Sequence, residues 1–223
     1  MTIKGILFDA ADVFYKRDET AASLARRLLN ERGYLSELAA DDEERRQELH
    51  HQASGGYISA ATYWDEVLKL SGVALPDVRA AIAEQIMVHA NKVHALPGAR
   101  ETVKTLKQRG FSLGIVTDTI YPLEWKMNWL NQVGVAEFMD VIACSSELGV
   151  HKPDPAIYLN AIRKANLSVK ASAFVGHDAS EIEGARKVGL KTVAVMYDPH
   201  ARADYYASTL VELLDVPIFQ AAQ

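Results

Sequence analysis

Short apolar runs rich in β-branched residues recur along the chain at Ile3–Phe8, Ser112–Thr117, Val141–Ser145, Ala173–Gly176 and Lys191–Met196. Runs of this length predict strands buried on both faces, as in a parallel sheet. Between them the apolar positions take helical spacing: Ala99, Val103 and Leu106 lead to Gly110, and Ile182, Ala185 and Val188 lead to Gly189. Each glycine stands where a helix is expected to stop. Strands alternating with helices predict an α/β fold built on a parallel sheet. From Lys16 to Val93 the alternation lapses. There Ala22, Leu24, Ala25, Leu28 and Leu29 predict one amphipathic helix, and Tyr63, Trp64, Val67, Leu68 and Leu70 predict another. The charged run Asp41–Arg46 reads as the solvated start of a helix between them, and Ser54, Gly55 and Gly56 as a loop. The expected organisation is a core of residues 1–15 and 94–223 with a helical insert of residues 16–93. Tyr205–Leu214 is expected to form a final helix packed on the sheet.

Composition narrows the function. The 24 Lys and Arg against 29 Asp and Glu leave a net charge of −5, which speaks against a nucleic-acid partner. A hydrophobic content of 49% and a charged content of 24% fit a globular protein rather than a disordered or fibrous one. Cys144 is the single cysteine, so no intrachain disulfide and no thiolate cluster can form, and a reducing, cytoplasmic setting is expected. The N-terminus lacks the pattern of a signal peptide, and nowhere do about 18 apolar residues run together, so no membrane partner is expected.

In an open parallel sheet ligands bind beyond the carboxyl ends of the strands. The residues just after the apolar runs are Asp9 with Asp12, Thr117 with Asp118, Ser145 and Ser146 followed by Lys152, and His177 with Asp178 and Glu181. A carboxylate, a hydroxyl, a lysine and an acidic cluster converging at one sheet edge suit phosphoryl transfer. The carboxylate attacks phosphorus, and the hydroxyl, lysine and a divalent cation neutralise the non-bridging oxygens. Hard oxygen ligands select magnesium.

Four segments, ILFDAADV, GIVTDT, GVHKPDPAIY and FVGHDASEIEGA, occur in this order and strand context. Through them the chain resembles the haloacid dehalogenase-like hydrolase superfamily over nearly its whole length. The resemblance implies a Rossmann-like three-layer core with a parallel sheet and an all-helical cap inserted after the first strand. It implies Asp9 as nucleophile, Thr117 as the phosphate-binding hydroxyl and Lys152 as the lysine that pairs with nucleophile and phosphate. The implied magnesium site comprises Asp9, Ala11, Asp178 and Glu181. Cap residues set specificity in such enzymes, so Tyr57, with Tyr63 and Trp64, is a candidate for substrate contact, and Asp118 is a candidate for substrate contact or for a structural role.

Two positions depart from the family pattern. Phosphatases of the family usually carry a second aspartate two residues after the nucleophile, which protonates the leaving oxygen; here that residue is Ala11. Asp12 comes one residue later, and successive side chains on an extended strand end point to opposite sides. The carboxylate expected after Gly176 is His177, a poor ligand type for magnesium, with Asp178 after it and Glu181 in place of the more distant aspartate. Asp12 and His177 are therefore the candidate acid and base.

Three classes of function stay open: a magnesium-dependent phosphatase of a small phosphate monoester, a metal-independent 2-haloacid dehalogenase whose leaving halide needs no proton, and an inactive homologue that binds a partner. A phosphonate-cleaving relative ranks lower, because the insert lysines Lys16 and Lys69 lack a convincing context for a Schiff base. The expected partner is a small, phosphorylated molecule, and the oligomeric state is monomer or homodimer. The pairs His50 with His51 and His89 with His94 have no supporting ligand set and read as surface residues. Tyr121, Trp125 and Trp129 recur four apart, an aromatic stripe suited to core packing or a contact with the insert.

Overall fold

A computed structural model describes residues 2–34 and 37–220. The first apolar run forms β1 (Gly5–Phe8), with every residue buried. It lies at the centre of a six-stranded sheet with β4 (Ser112–Thr117), β5 (Val141–Cys144), β6 (Ser172–Gly176), β7 (Lys191–Val195) and β8 (Tyr205–Ala207), in the order β5-β4-β1-β6-β7-β8. All five pairings are parallel.

The period-two alternation of a strand sends Ile6 and Phe8 to one face of the sheet and Leu7 to the other. The first face packs on α5 (Ala99–Gln108) and α6 (Leu123–Gln132) through Val103, Leu106, Trp129 and Leu130. The second packs on α8 (Pro155–Lys164) and α9 (Ala179–Val188) through Ile157, Tyr158, Ile182 and Ala185. A short α7 (Ser145–Leu148) follows β5 directly. Helices on both faces of a parallel sheet make the three-layer, Rossmann-like α/β fold.

Between β1 and α5 the chain crosses out of the sheet and returns. The outgoing β2 (Tyr15–Lys16) and the returning β3 (His94–Ala95) pair antiparallel, Tyr15 opposite Ala95. Between them lie α1 (Ala21–Glu31), α2 (Ala40–Ser54), α3 (Ala60–Leu70) and α4 (Pro76–Ala90). These helices share their own apolar cluster, which includes Leu24, Leu28, Trp64, Leu68, Ile82 and Ile86. Thr20 and Ser59 cap α1 and α3 through side-chain oxygens that accept from Ser23 N and Thr62 N. The α2–α3 loop touches the core at Gly56, where an added Cβ would meet the Ser146 carbonyl oxygen at 2.1 Å, and its φ of 74° is one that favours glycine. No helix among the described residues is long and apolar enough to cross a membrane.

The C-terminal segment corrects the sequence reading. Instead of a helix, Tyr205–Ala207 adds a strand to the free edge of β7, and among the described residues only the short 3-10 turns Val211–Asp215 and Pro217–Phe219 follow. Asp204 fixes that register by accepting hydrogen bonds from Thr192 N and Thr192 Oγ1 at 2.9 and 3.1 Å. Covering an otherwise open parallel edge outweighs the helical spacing of the leucines.

Candidate active site

Asp9 extends β1 by one residue, its N–H donating to the Val175 carbonyl at 2.9 Å, so its carboxylate emerges at the carboxyl end of the sheet. Lys152 arrives on the loop between α7 and α8, after a glycine C-cap at Gly149 and before a cis bond to Pro153. Both side chains are buried, and Lys152 Nζ donates to Asp9 Oδ1 at 2.5 Å. The same ammonium lies 2.9 Å from Glu181 Oε2, in the first turn of α9. His177, between β6 and α9, places Nδ1 3.5 Å from Asp9 Oδ2, close enough for a strong charge contact. Thr117 closes the neighbouring β4 and is buried. The Asp118 carboxylate accepts the Lys152 backbone N–H with both oxygens at 3.2 Å, so it braces the loop that carries the lysine.

These contacts set the charges. Burial opposes ionisation of Asp9, but Lys152, the His177 contact and the charge of Lys126 outweigh it and hold the carboxyl well below its usual range. Burial likewise opposes the charge on Lys152, and Asp9, Glu181 and Asp118 more than restore it, so the lysine stays cationic. The Asp9 carboxylate beside it raises His177 above its ordinary value despite burial, which favours an imidazolium. Burial, and then the negative charge of Asp9, push Glu181 up to about 7 against the pull of Lys152.

The Glu181 shift has a stability consequence. The folded protein holds the Glu181 proton between the ordinary 4.5 and about 7, so that contribution is present at lower pH and is lost as pH rises through this window. In chelator, the unfolding free energy of wild type minus that of Glu181→Gln is therefore expected to fall across the window. A flat difference would show Glu181 ionised throughout.

Several expectations change. Asp12 sits in a left-handed turn with φ of 56°, is exposed, and is not hydrogen bonded to Asp9. The turn that lets its N–H donate to the Tyr15 carbonyl at 2.8 Å carries it off the strand direction. Asp178 is the N-cap of α9: its Oδ1 accepts from Ser180 N, Ser180 Oγ and Glu181 N at 2.8, 2.6 and 3.0 Å. Tyr57 is 73% exposed and stands over Gly149 at the rim, whereas Tyr63 and Trp64 line the cavity between insert and sheet. His51 is not an isolated surface residue, since its Nδ1 lies 2.8 Å from His151 Nε2 across the contact between α2 and the core. His89 contacts the Glu19 carbonyl and His94 pairs with Asp18. Lys16 and Lys69 are exposed.

A magnesium ion needs several free oxygen ligands. Asp9 is engaged by Lys152 and His177, Glu181 faces Lys152, Asp178 commits one oxygen to the helix cap, and Ala11 offers only its main-chain carbonyl. Among the described residues no group of three or more His, Cys, Asp or Glu side chains is arranged to hold a metal ion. The residues as they stand do not fit a magnesium site.

Sequence reasoning passed over Lys126 and Arg17. Lys126 is three residues before Trp129, on the inner face of the aromatic stripe. Its Nζ donates to Tyr15 Oη at 3.0 Å and to the Asp118 carbonyl at 3.4 Å. Arg17 lies over the Trp129 ring, 4.4 Å from its centroid. Both line the cavity of about 300 Å³ that also touches Ala11 and Asp118.

A three-layer α/β fold, with a buried aspartate and lysine paired at the carboxyl end of the central strand, defines the class. The chain belongs to the haloacid dehalogenase-like hydrolase family, whose profile matches residues 6–195. It is similar to the glyceraldehyde 3-phosphate phosphatase of Methanopyrus kandleri, 30% identical over 200 residues that cover 86% of this chain and 84% of that protein. The glyceraldehyde 3-phosphate phosphatase of Methanocaldococcus jannaschii is 27% identical over 224 residues, 96% of each chain. The solved 2-haloacid dehalogenase of Pseudomonas syringae pv. Tomato DC3000 superposes with a TM-score of 0.69 at 23% identity, covering 96% of this chain and 97% of that one, a likeness of fold.

Proposed function

We propose that the protein is a phosphatase of small phosphate monoesters that works through an aspartyl-phosphate on Asp9. The observation that carries this reading is the buried Asp9–Lys152 pair with Glu181 and His177 around it, at the carboxyl end of β1. The relatives named as phosphatases support the same chemistry. The insert of residues 16–93 acts as a cap over this end of the sheet. Asp9, held ionised, attacks phosphorus; the new O–P bond forms as the ester O–P bond breaks. Lys152 and the Thr117 hydroxyl stabilise the non-bridging oxygens. His177, carrying a proton next to Asp9, supplies it to the leaving oxygen in place of the acid that Ala11 cannot provide. It then takes a proton from the water that opens the aspartyl-phosphate. Family phosphatases generally use Mg2+, but no step of this scheme passes through an ion.

The test is phosphate release from 4-nitrophenyl phosphate, measured with magnesium and with EDTA, beside halide release from 2-chloropropionate. Phosphate release that persists in EDTA is the expected result. Release only with magnesium would show that Asp9 and Glu181 exchange their cationic partners for the metal. Halide release without phosphate release would replace the reading with a dehalogenase, and neither product would leave a binding protein.

A further inference from the structure

One buried charge touches none of the reacting groups of the phosphatase scheme. Lys126 on α6 is 2% exposed, yet no carboxylate lies within ion-pair distance of its Nζ among the described residues, and Asp9 feels its charge only from farther off. Its two hydrogen-bond partners are neutral oxygens, the Tyr15 hydroxyl and the Asp118 carbonyl. An ammonium has three N–H donors, so one remains for something else. The faces of Trp129 and Tyr15, with ring centroids at 5.1 and 5.7 Å, soften its burial. They do not neutralise it, and an unpaired buried cation is costly to keep.

Arg17 comes from the other side of the same cavity. Its Nε donates to the Ala90 carbonyl at 2.9 Å, which fixes the guanidinium plane over Trp129, and neither Nη atom has a hydrogen-bond or ion-pair partner among the described residues. A third cation on the wall, Arg46, is already neutralised by Glu43 through two hydrogen bonds at 2.8 and 2.6 Å. The one carboxylate on the wall, Asp118, has both oxygens on the Lys152 N–H and is shifted by burial towards its neutral form. The cavity thus presents two cations without a contacting counter-ion among the described residues, one of them a guanidinium with a free fork that matches two oxygens of a single anion. Its volume, about 300 Å³, admits only a small molecule.

We propose that Lys126 and Arg17 form a second anion subsite in the cavity between insert and sheet, so that the substrate is a small phosphate ester carrying a further carboxylate or phosphate group. The proposal rests on the phosphatase reading for the transferred group, and direct binding separates the two.

The probes are phosphonoacetate and 3-phosphonopropionate against ethylphosphonate and propylphosphonate, with propane-1,3-bisphosphonate as the second anionic type. Kd is read by titration calorimetry, which needs no turnover. Wild type is expected to bind an anion-tailed probe at least about tenfold more tightly than its uncharged counterpart, as charge-assisted bonds in a desolvated site allow. The better of the carboxylate and bisphosphonate arms identifies the second group. In Lys126→Met and in Arg17→Gln that ratio is expected to collapse towards one. Because the lysine is buried without a counter-ion, Lys126→Met is also expected to melt higher than wild type, an outcome that a structural lysine would reverse. If Lys126→Met does not fold, Arg17→Gln, at a partly exposed position, carries the test. Equal affinity for tailed and untailed probes in wild type, or an unchanged ratio in both variants, would overturn the subsite. A clear preference without phosphate release from any ester would retain the subsite and remove the phosphatase reading.

Discussion

Asp9→Asn is expected to lower phosphate release by at least about 10³-fold while the protein still folds. A carboxamide oxygen is a poor nucleophile and cannot give the aspartyl-phosphate ester. Asparagine keeps the shape of the side chain and an oxygen that accepts from Lys152. The lysine also retains Glu181 at 2.9 Å. With the Asp9 charge gone, one of the causes that raise Glu181 disappears while burial and Asp118 remain, so Glu181 ionises more readily and becomes the principal counter-ion of Lys152. The melting temperature is therefore expected to drop modestly rather than collapse. Steady-state phosphate release and thermal unfolding of the same preparation check both halves. A variant that releases phosphate at nearly the wild-type rate would remove Asp9 from the chemistry.

Lys152→Met is expected to damage stability as well as turnover. Methionine fills much of the volume, but it leaves Glu181, with Asp118 close by, without its contacting cation, and Asp9 with only the longer His177 contact. Removing one partner of a buried pair costs about 3–5 kcal/mol at neutral pH, because the stranded charge has lost its water as well as its counter-ion. In the wild type, Lys152 is among the charges that hold Asp9 ionised, so its loss raises that carboxyl. As pH falls, the stranded carboxylates take up protons, and the deficit relative to wild type is expected to shrink. Urea unfolding of both proteins at neutral and mildly acid pH measures this. Equal stability at neutral pH would mean that the lysine is not buried against these carboxylates. The expected rise in melting temperature for Lys126→Met makes a sharp contrast: of two buried lysines on one site, one has its counter-ions and the other does not.

Much of the architecture was legible along the chain because the signals are local. Buried strands read as unbroken apolar runs, and Asp9, Thr117 and His177 were found simply as the residues at or just beyond their ends. Gly110 and Gly189 marked helix stops, as their φ values of 90° and 96° require. The two-residue strands β2 and β3 left no such trace, since a pairing between Tyr15 and Ala95 has no periodicity to show. The tail after Asp204 misled for a related reason. YYASTLVELL carries helical spacing, but the open edge of β7 recruits its first residues into a strand.

The sequence by itself determined which chemical groups stand at the carboxyl end of the sheet, because strand alternation and helix punctuation act over a few residues. Only the tertiary structure decided what those groups do to one another. It carried Asp12 out of line and set a lysine from a distant loop between Asp9 and Glu181. It also placed Lys126 against Tyr15, 111 residues earlier, leaving the ammonium without a carboxylate. Propensity and hydrophobic period are properties of neighbouring residues. The charge state of a buried side chain depends on which partners the packed chain brings within a few ångströms, and on how much water that packing removes.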